Sequence, residues 1–357
     1  MDISEIDQNY KNIFRSAGMT TYSVNEPPFA LYGLCREPGE QDFKRLPHRF
    51  AQTLKNDALR LLYRNTAGLR VRFRTDSRRI LLKCELPEVC STADMALAGS
   101  SCFDLYADGS YVNVLLPGLD LDGYHAENRM GKHGYSSGYE FPDRRMREIL
   151  VHFPLYNDVS AVYIGLDEGA QLLPASPYAH RKPVVYYGSS ITQGGCASHP
   201  GNCYSAMLSR RLDADFINLG FSGACRAEPE MAEYISGLDM GVFVYDYDHN
   251  APDADYLEQT HQPFFEIVRK KQPELPIILV SAADDYFPDC LRRRDIIRRT
   301  YERAVAAGYH SVSFVDGRTI YRNIGRSDCL VDVAHPNDLG FWCMANAIEP
   351  VLAPMLR

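Results

Sequence analysis

The second half of the chain alternates apolar strand-like segments with helical ones, and this alternation constrains the fold most strongly. The strand-like segments are VVYYG (184–188), FINLG (216–220), VFVYDY (242–247), PIILVSA (276–282) and SVSFVDG (311–317). Helical segments are CYSAMLSRRL (203–212), EPEMAEYIS (228–236), YLEQTHQPFFEIVRKK (256–271), RRRDIIRRTYERAVAAG (292–308) and DLGFWCMANAIEPVL (338–352). We expect the third helix to be interrupted or kinked near Pro263. This alternation predicts an α/β fold with a doubly wound parallel five-stranded sheet.

The first half has a different rhythm, with many short strands and few helical segments. These strands are LRVRFRTD (69–76), RILLKCEL (79–86), SCFDLYAD (101–108), SYVNVLLP (110–117), REILVHFPL (147–155) and SAVYIGL (160–166). Short strands separated by turn residues predict an antiparallel β-sandwich or jelly roll. The segment 167–183 lacks sustained periodicity and is interpreted as the connection. We therefore predict two domains, 1–175 and 176–357.

Composition and charge exclude several classes of function. The chain has 357 residues and a formal net charge of −8, and its basic residues are scattered. Short basic clusters such as RRRDIIRR (292–299) fit a solvated helix face, so no nucleic-acid partner is expected. No segment reaches the ~20 apolar residues of a membrane span. The N-terminus lacks the features of a secretory signal, so we expect a cytoplasmic protein, and the sequence leaves a homo-oligomer open.

Ten cysteines in a chain of this length do not indicate a disulfide scaffold, and we expect them to remain thiols. Cys196, His199 and Cys203 are close enough in sequence to suggest a metal site. Their spacing fits no common zinc pattern, and no second Cys/His pair lies nearby. We therefore expect no metal and no cofactor.

Polar residues collect where the predicted strands end. They are Ser189 and Ser190 after the first strand, Ser222 and Gly223 after the second, Asp246, Asp248, His249 and Asn250 at the third, and Asp332 and His335 before the last helix. Ligands of such sheets bind at the carboxyl ends of the strands. A hydroxyl, a carboxylate, an imidazole and hydrogen-bond donors together are the groups of an acyl-transfer site.

The segment DVAHP (332–336) supplies a base and a group that can orient it. A serine hydroxyl needs such a base within hydrogen-bond reach. Because Asp332 and His335 are three residues apart, one loop can carry both to the nucleophile. The N–H of Gly223 and the amide of Asn250 are candidate donors to the developing oxyanion.

Each of these features also has a simpler structural interpretation. Paired serines after a strand commonly cap a helix, and Asp-x-x-His is commonly a loop hydrogen bond. Gly223 alone fits a turn, and Asn250 alone fits an Asx-turn. Their common position at the strand ends favours the acyl-transfer interpretation. The segment GSSITQGG is neither a Gly-x-Ser-x-Gly elbow, because Thr192 stands at the last position, nor a P-loop, because it has no lysine.

The blocks GSSIT, NLGFSG, YDYDHN and DVAH resemble those of an SGNH hydrolase of the GDSL type over residues 182–357. The resemblance implies a flavodoxin-like sheet in which Ser190 is the nucleophile, His335 the base and Asp332 its orienting carboxylate. It also implies an oxyanion hole made by the N–H groups of Ser190 and Gly223 and the amide of Asn250. Ser189 replaces the usual Asp. The third block departs from Gly-x-Asn-Asp, which leaves His249 as a rival to Asn250.

The first half is similar to the Gly-x-Asp-Leu-Tyr domain found upstream of one branch of these hydrolases. The similarity lies in CFDLYADGSYV, where Cys102 replaces the Gly, and FKRLP and LRVRFRTDS fit the same domain. We expect Asp104 to form a strand-end turn and Tyr106 to be a core aromatic, and favour these roles over substrate contact.

The resemblance implies a serine esterase that removes a small acyl group, most simply acetyl, from a small-molecule or oligosaccharide ester. Two alternatives stay open. One is a lipase or thioesterase that acts on long acyl chains. The other is a carbohydrate-binding protein without catalytic activity.

Overall fold

The computed structural model describes residues 17–37, 39–117, 134–283 and 287–356, which form an antiparallel sandwich followed by a parallel sheet with helices. The sandwich strands are β1 (Met19–Ser23), β2 (Ala30–Tyr32), β3 (Arg70–Thr75), β4 (Arg79–Glu85), β5 (Phe103–Ala107), β6 (Ser110–Leu115), β7 (Tyr135–Glu140), β8 (Arg147–His152), β9 (Ala161–Asp167) and β10 (Leu172–Leu173). Three short helices accompany them: α1 (His48–Ala51), α2 (Asp57–Leu62) and α3 (Leu97–Ser100).

Two antiparallel sheets enclose one apolar core in this N-terminal domain. Their strand orders are β1-β9-β4-β7 and β10-β3-β8-β5-β6, with β2 paired to β3. Side chains alternate along most of β3 and β4, so Val71, Phe73, Ile80 and Leu82 are fully buried while Arg72, Leu81 and Lys83 are less so. Burying each such side chain stabilises the fold by about 1.5–3 kcal/mol. The predicted antiparallel sandwich is confirmed.

All six strands predicted in the first half occur, and the described part of this half contains four further strands that were not predicted. These are β1, β2, β7 and β10. The sequences of β1 (MTTYS) and β7 (YSSGYE) are rich in Thr, Ser and Gly, and each strand lies at the edge of its sheet. Neither sequence has a period-two alternation of apolar residues, so the hydropathy signal of both strands is weak.

The C-terminal domain contains a five-stranded parallel sheet with the order β12-β11-β13-β14-β15. Its strands are β11 (His180–Gly188), β12 (Ala214–Gly220), β13 (Val242–Asp246), β14 (Ile277–Val280) and β15 (Val312–Val315). This order confirms the flavodoxin-like doubly wound sheet. The chain changes direction of winding beside β11, which is where such sheets bind ligands.

Helices cover both faces of this sheet. They are α4 (Ser190–Gln193), α5 (Tyr204–Leu212), α6 (Pro229–Ser236), α7 (Ala254–Lys271), α8 (Cys290–Ala306), α9 (Arg326–Cys329) and α10 (Asp338–Leu352). Successive residues of β11 enter different cores, with Val184 and Tyr186 on one face and Val185 and Tyr187 on the other. None of the helices in the described ranges has the length and apolar character needed to cross a bilayer.

Two predictions about the path of the chain are wrong. Helix α7 is not interrupted at Pro263, because Phe264, Phe265 and Val268 pack into the core and offset the cost of the missing N–H, and the alternative of a kink there stays a prediction. The segment 167–183 is not only a connection, since it contains β10 and the first residues of β11. The predicted boundary near residue 175 stays a prediction.

A buried arginine joins the two parts of the chain near the end of β12. Arg45 is fully buried and donates to the carbonyl oxygens of Leu62 (2.7 Å), Asn65 (2.8 Å) and Gly220. Its guanidinium also lies 4.1 Å from the ring centroid of Phe221. Since guanidinium is costly to bury without partners, these contacts fix the sandwich against the edge of the sheet that carries the site.

Candidate active site

The two serines that follow β11 have different roles in the structure. Ser189 is fully buried, and its Oγ accepts a hydrogen bond from the N–H of Ile191 at 3.1 Å, so it caps α4. Ser190 is the first residue of α4 and is only half-buried. The capping interpretation therefore holds for Ser189, and the hydroxyl of Ser190 remains available for chemistry.

A continuous chain of hydrogen bonds connects Ser190 to His335 and Asp332. His335 Nε2 lies 2.8 Å from Ser190 Oγ, and His335 Nδ1 lies 2.7 Å from Asp332 Oδ2. Because a carboxylate only accepts hydrogen bonds, Nδ1 carries the proton, and Nε2 can accept the hydroxyl proton of Ser190. These three side chains therefore have the arrangement of a nucleophile, a base and the group that orients the base.

The backbone of residues 330–336 explains why Asp332 and His335 lie side by side. The segment is closed by a bridge between Leu330 and Pro336, and Asp332 Oδ1 accepts the N–H groups of Ala334 (2.8 Å) and His335 (2.7 Å). Partial burial alone would raise the pKa of Asp332, but these hydrogen bonds and the His335 ring outweigh it and hold the pKa below its usual range. The carboxylate therefore stays ionised at neutral pH.

Close packing fixes Ser190 and His335 on the side away from their mutual hydrogen bond. The Ser190 carbonyl oxygen accepts hydrogen bonds from the N–H of Gly195 (2.8 Å) and from the hydroxyl of Tyr156 (3.1 Å). A Cβ at Gly195 would lie 2.8 Å from the Tyr156 oxygen and 3.3 Å from Cδ2 of His335. Only glycine fits there without displacing these groups. Tyr156 precedes β9, so the sandwich domain contributes directly to this site.

The predicted oxyanion donors lie at the ends of the two strands that flank β11. Gly188 aligns with Gly220 of β12 and with Asp246 of β13, so all three strands end at one level. Gly223 follows β12 with a left-handed φ of +65°, which favours glycine. Within the described ranges, the N–H groups of Ser190 and Gly223 donate to no protein acceptor.

Asn250 lies in the turn after β13, and its side chain points toward the loop that carries Gly223. Its Nδ2 donates to the carbonyl oxygen of Phe221 at 3.0 Å. One amide hydrogen is used in this contact, and the second is not needed for it. The ring of His249, the rival candidate, packs 5.7 Å from the ring of Phe287.

Gln193 connects α4 to the loop that carries Gly223. Its Oε1 accepts the N–H of Ser222 at 3.0 Å, while its Nε2 donates to the carbonyl oxygen of Leu155 (3.0 Å) and to Asn65 Oδ1 (3.2 Å). The side chain is fully buried. Its position directly after the Ser-Ile-Thr segment is the only sequence signal that could have indicated this role.

Arg293 holds the turn that carries Asn250. It is buried, and it donates to the carbonyl oxygens of Asp248 (3.0 Å) and Ala251 (2.9 Å) and to Asp289 Oδ1 (2.9 Å). The interpretation of 292–299 as a solvated helix face is therefore wrong for Arg293. Its guanidinium satisfies backbone carbonyls that would otherwise be buried without partners.

Asp104 of β5 anchors the segment after α4 that contains His199 and Gly201. Its Oδ1 accepts from His152 Nδ1 and its Oδ2 from His199 Nδ1, both at 2.7 Å, and Oδ2 also accepts the N–H of Gly201 at 2.5 Å. The expected strand-end turn is wrong, because Asp104 lies inside a buried strand and links the two domains. Tyr106 is a buried aromatic, as expected.

The three residues considered for a metal site have separate partners. His199 binds Asp104, Cys203 Sγ contacts the carbonyl oxygen of Pro200 at 3.3 Å, and Cys196 Sγ lies 3.8 Å from Asp94 Oδ2. Burial and the neighbouring carboxylates raise the pKa of the Cys196 thiol to about 12. Cys196 is therefore a protonated thiol near neutral pH and does not compete with Ser190 as a nucleophile.

Asp246, the last residue of β13, lies outside the hydrogen-bonded chain of Ser190, His335 and Asp332. Its Oδ2 accepts the hydroxyls of Thr192 and Tyr204, each at 3.1 Å. Complete burial raises the pKa of its carboxyl to about 7, and the two hydrogen bonds offset only part of this effect. Asp246 therefore keeps its proton in the folded protein over a pH range in which the unfolded chain has lost it.

This difference predicts a pH-dependent stability that Asp246→Asn removes. Between pH 4 and 7 the folded protein binds the extra proton, so the free energy of unfolding falls as pH rises, by roughly 4 kcal/mol in total. Urea unfolding at pH 5 and pH 8 checks this. Asp246→Asn should already be more stable than the wild type at pH 5, by roughly 1–2 kcal/mol, and its advantage should grow to roughly 4 kcal/mol at pH 8. An equal pH dependence of the two proteins would contradict the assignment.

Two family profiles match consecutive parts of the chain. That of the GDSL-like lipase/acylhydrolase family matches residues 181–353, and that of the N-terminus of SGNH-type esterases, named after the Gly-x-Asp-Leu-Tyr motif, matches residues 21–172. No curated protein matches the chain in sequence.

Solved structures share the two-domain architecture. A protein from Bacteroides ovatus described as a GDSL-like lipase is 27% identical with a TM-score of 0.79, covering 95% of this chain and 98% of its own. A salicylyl-acyltransferase from a tetracycline biosynthetic pathway is 18% identical with a TM-score of 0.76, covering 96% and 100%. An acetyl xylan esterase from Butyrivibrio proteoclasticus is 12% identical with a TM-score of 0.57, covering 95% and 99%.

The last two likenesses show the fold alone. The family is assigned from the two profile matches. One covers the parallel sheet and the four sequence blocks, and the other covers the sandwich. Residues 181–353 belong to the GDSL-like lipase/acylhydrolase family of serine ester hydrolases, and residues 21–172 match the N-terminal domain of SGNH-type esterases.

Proposed function

We propose that the protein hydrolyses small acyl esters through an acyl-enzyme formed on Ser190. The observation that carries the proposal is the unbroken chain from Ser190 Oγ through the His335 ring to Asp332, with contacts of 2.8 and 2.7 Å. His335 takes the hydroxyl proton as Ser190 attacks the ester carbonyl, and then gives this proton to the departing alcohol. Asp332 holds the ring and stabilises its charged form. Water activated by His335 releases the acid.

The oxyanion that forms during each attack needs donors that are already in position. We assign this role to the N–H groups of Ser190 and Gly223 and to the amide of Asn250. The left-handed backbone at Gly223 and the contact of Asn250 with the Phe221 carbonyl support the assignment. Losing one such donor typically lowers the rate by about 10²–10³-fold.

We propose acetyl as the acyl group and a carbohydrate as its carrier. The support comes from the acetyl xylan esterase among the solved structures, which shares both domains with this chain. One of the solved structures is a salicylyl-acyltransferase, so it has to be measured whether water or an alcohol accepts the acyl group from Ser190.

A second candidate is hydrolysis of longer acyl chains. Val331 and Val333 flank Asp332, and their side chains are 48% and 56% exposed. Exposed apolar side chains at the edge of a site can pack against an acyl chain. This candidate differs from the first in acyl chain length, not in the groups that react.

A series of p-nitrophenyl esters from acetate to dodecanoate tests both candidates, and acetylated oligosaccharides test the carrier. Acetyl hydrolysis requires kcat/KM to be highest for acetate and free acetate to appear from the oligosaccharides. A maximum at long chains favours the second candidate. Glycan binding without turnover of any ester would contradict catalysis and indicate a carbohydrate-binding protein.

We further propose that the protein works in a reducing compartment such as the cytoplasm. None of its ten cysteines, all of which lie in the described ranges, is in a disulfide. Cell fractionation tests this, since recovery of the protein from an oxidising compartment would contradict it.

A further inference from the structure

Four side chains from three segments of the chain meet beside the base of the site. They are Asp94, Cys196, Asp332 and His335, and one ligating atom from each lies within 4.8 Å of all the others. Asp94 belongs to the sandwich domain, between β4 and α3, while Cys196 follows α4. Asp332 and His335 are the pair already described. Two of the four thus have no role in ester hydrolysis.

The backbone presents the Cys196 thiol to this cluster. Cys196 has a left-handed φ of +72°, which is uncommon for a residue with a side chain, and it is only 8% exposed. Its Sγ lies 3.8 Å from Asp94 Oδ2. The preceding residue, Gly195, packs against the His335 ring, so the thiol is held close to the base by a rigid piece of chain.

The donor set matches a borderline-soft divalent cation. It contains one sulfur, one imidazole nitrogen and two carboxylates, and Zn²⁺ takes such ligands in tetrahedral geometry. Bonds of about 2.0–2.3 Å separate ligand atoms by roughly 3.3–3.8 Å. The present separations therefore have to shorten by about 1 Å, which the partly exposed Asp94 and Asp332 side chains can allow. Hard cations such as Mg²⁺ prefer oxygen ligands and suit the cluster less well.

We propose that Asp94, Cys196, Asp332 and His335 form an inhibitory Zn²⁺ site that switches off the esterase by capturing its base. Binding moves the thiol proton of Cys196 to solvent and leaves a thiolate on the metal. The inhibitory part of this proposal rests on the proposed function, whereas metal binding does not depend on it.

Capture through either ring nitrogen removes the lone pair that accepts the Ser190 proton. A bond to Nε2 uses that lone pair directly. A bond to Nδ1 breaks the hydrogen bond to Asp332 and shifts the single ring proton from Nδ1 to Nε2, so that the ring stays neutral. In both cases His335 can no longer act as a base.

Binding is tested without substrate by titrating the full-length protein with Co²⁺, a spectroscopic substitute for Zn²⁺. The wild type should develop a thiolate-to-Co²⁺ charge-transfer band with one equivalent of metal, and added Zn²⁺ should remove it. Cys196→Ser should lose the band and Asp94→Asn should weaken binding by roughly tenfold or more. Cys290→Ser, which changes a thiol outside the cluster, serves as the control and should keep the band.

Inhibition is tested with p-nitrophenyl acetate, each variant being compared with its own metal-free rate. Zn²⁺ should inhibit the wild type and Cys290→Ser, EDTA should reverse this, and equal Mg²⁺ should not inhibit. Cys196→Ser and Asp94→Asn should need roughly tenfold more Zn²⁺ or more. Absence of the Co²⁺ band in the wild type overturns the site. A band in an active enzyme that Zn²⁺ does not inhibit overturns the inhibitory role, and a band in an inactive protein overturns the proposed function alone.

Discussion

Ser190→Ala is expected to lower kcat for p-nitrophenyl acetate by roughly 10⁴-fold or more while the protein stays folded, because no other hydroxyl replaces the one that contacts His335. The half-buried position of Ser190 means that the change removes one oxygen without opening a large cavity. Steady-state kinetics and circular dichroism measure the two effects. Residual activity should reflect only binding and the oxyanion donors.

Ser189→Ala is the matched control. It removes a neighbouring hydroxyl whose only described role is to cap α4, so it should cost about 1 kcal/mol of stability and keep most of the activity. If Ser190→Ala turned over substrate at the wild-type rate, or if Ser189→Ala were the inactive variant, the assignment of the nucleophile would be wrong.

Asp104→Asn is expected to reduce the free energy of unfolding by roughly 3 kcal/mol, because it leaves a buried donor from His152, His199 or Gly201 without its acceptor. Burial alone would raise the pKa of Asp104, but the two imidazoles outweigh it and hold the pKa below its usual range. The carboxylate is therefore charged in the folded state, and an amide accepts fewer of these bonds. Urea unfolding measures the loss.

Asp104→Asn should also lower kcat by about tenfold. The segment that contains His199 and Gly201, which Asp104 holds, also supports the loop that carries His335. Ser198 N–H donates to Asp338 Oδ1 at 2.9 Å, and Asn202 Nδ2 donates to Asp338 Oδ2 at 2.9 Å, at the start of the helix that follows His335. A misplacement of about 1 Å can lower the rate by up to 10²-fold. Asp239→Asn, whose side chain is 80% exposed, should change neither quantity. Full stability in Asp104→Asn would contradict a structural role.

The sequence was sufficient to predict the fold and the groups at the strand ends. Alternating strands and helices imply a parallel sheet, and such a sheet brings the residues after β11, β12 and β13 to one edge. Ser190, Gly223 and Asn250 could therefore be placed at this edge from position, whereas the choice of Ser190 over Ser189 came from the family resemblance and the choice between Asn250 and His249 stayed open. The proximity of Asp332 and His335 also follows from their spacing, because one short loop carries both.

Contacts between distant segments could not be predicted in this way. Asp104 binds residues 48 and 95 positions away, and no local periodicity reports such a pairing. Arg293 lies among arginines that are more exposed, so charge pattern alone does not indicate which one is buried. Tyr156 and Asp94 show that the sandwich reaches the site, which neither half of the sequence reveals separately.

The central claim is that Ser190 becomes covalently modified because His335 activates it. Reaction with a fluorophosphonate probe, followed by peptide mass mapping, tests this most directly. We expect a single phosphonylated residue, Ser190, in the wild type and labelling slower by several orders of magnitude in folded His335→Ala. Labelling of another residue, or labelling of Ser190 at an unchanged rate in His335→Ala, would contradict the account.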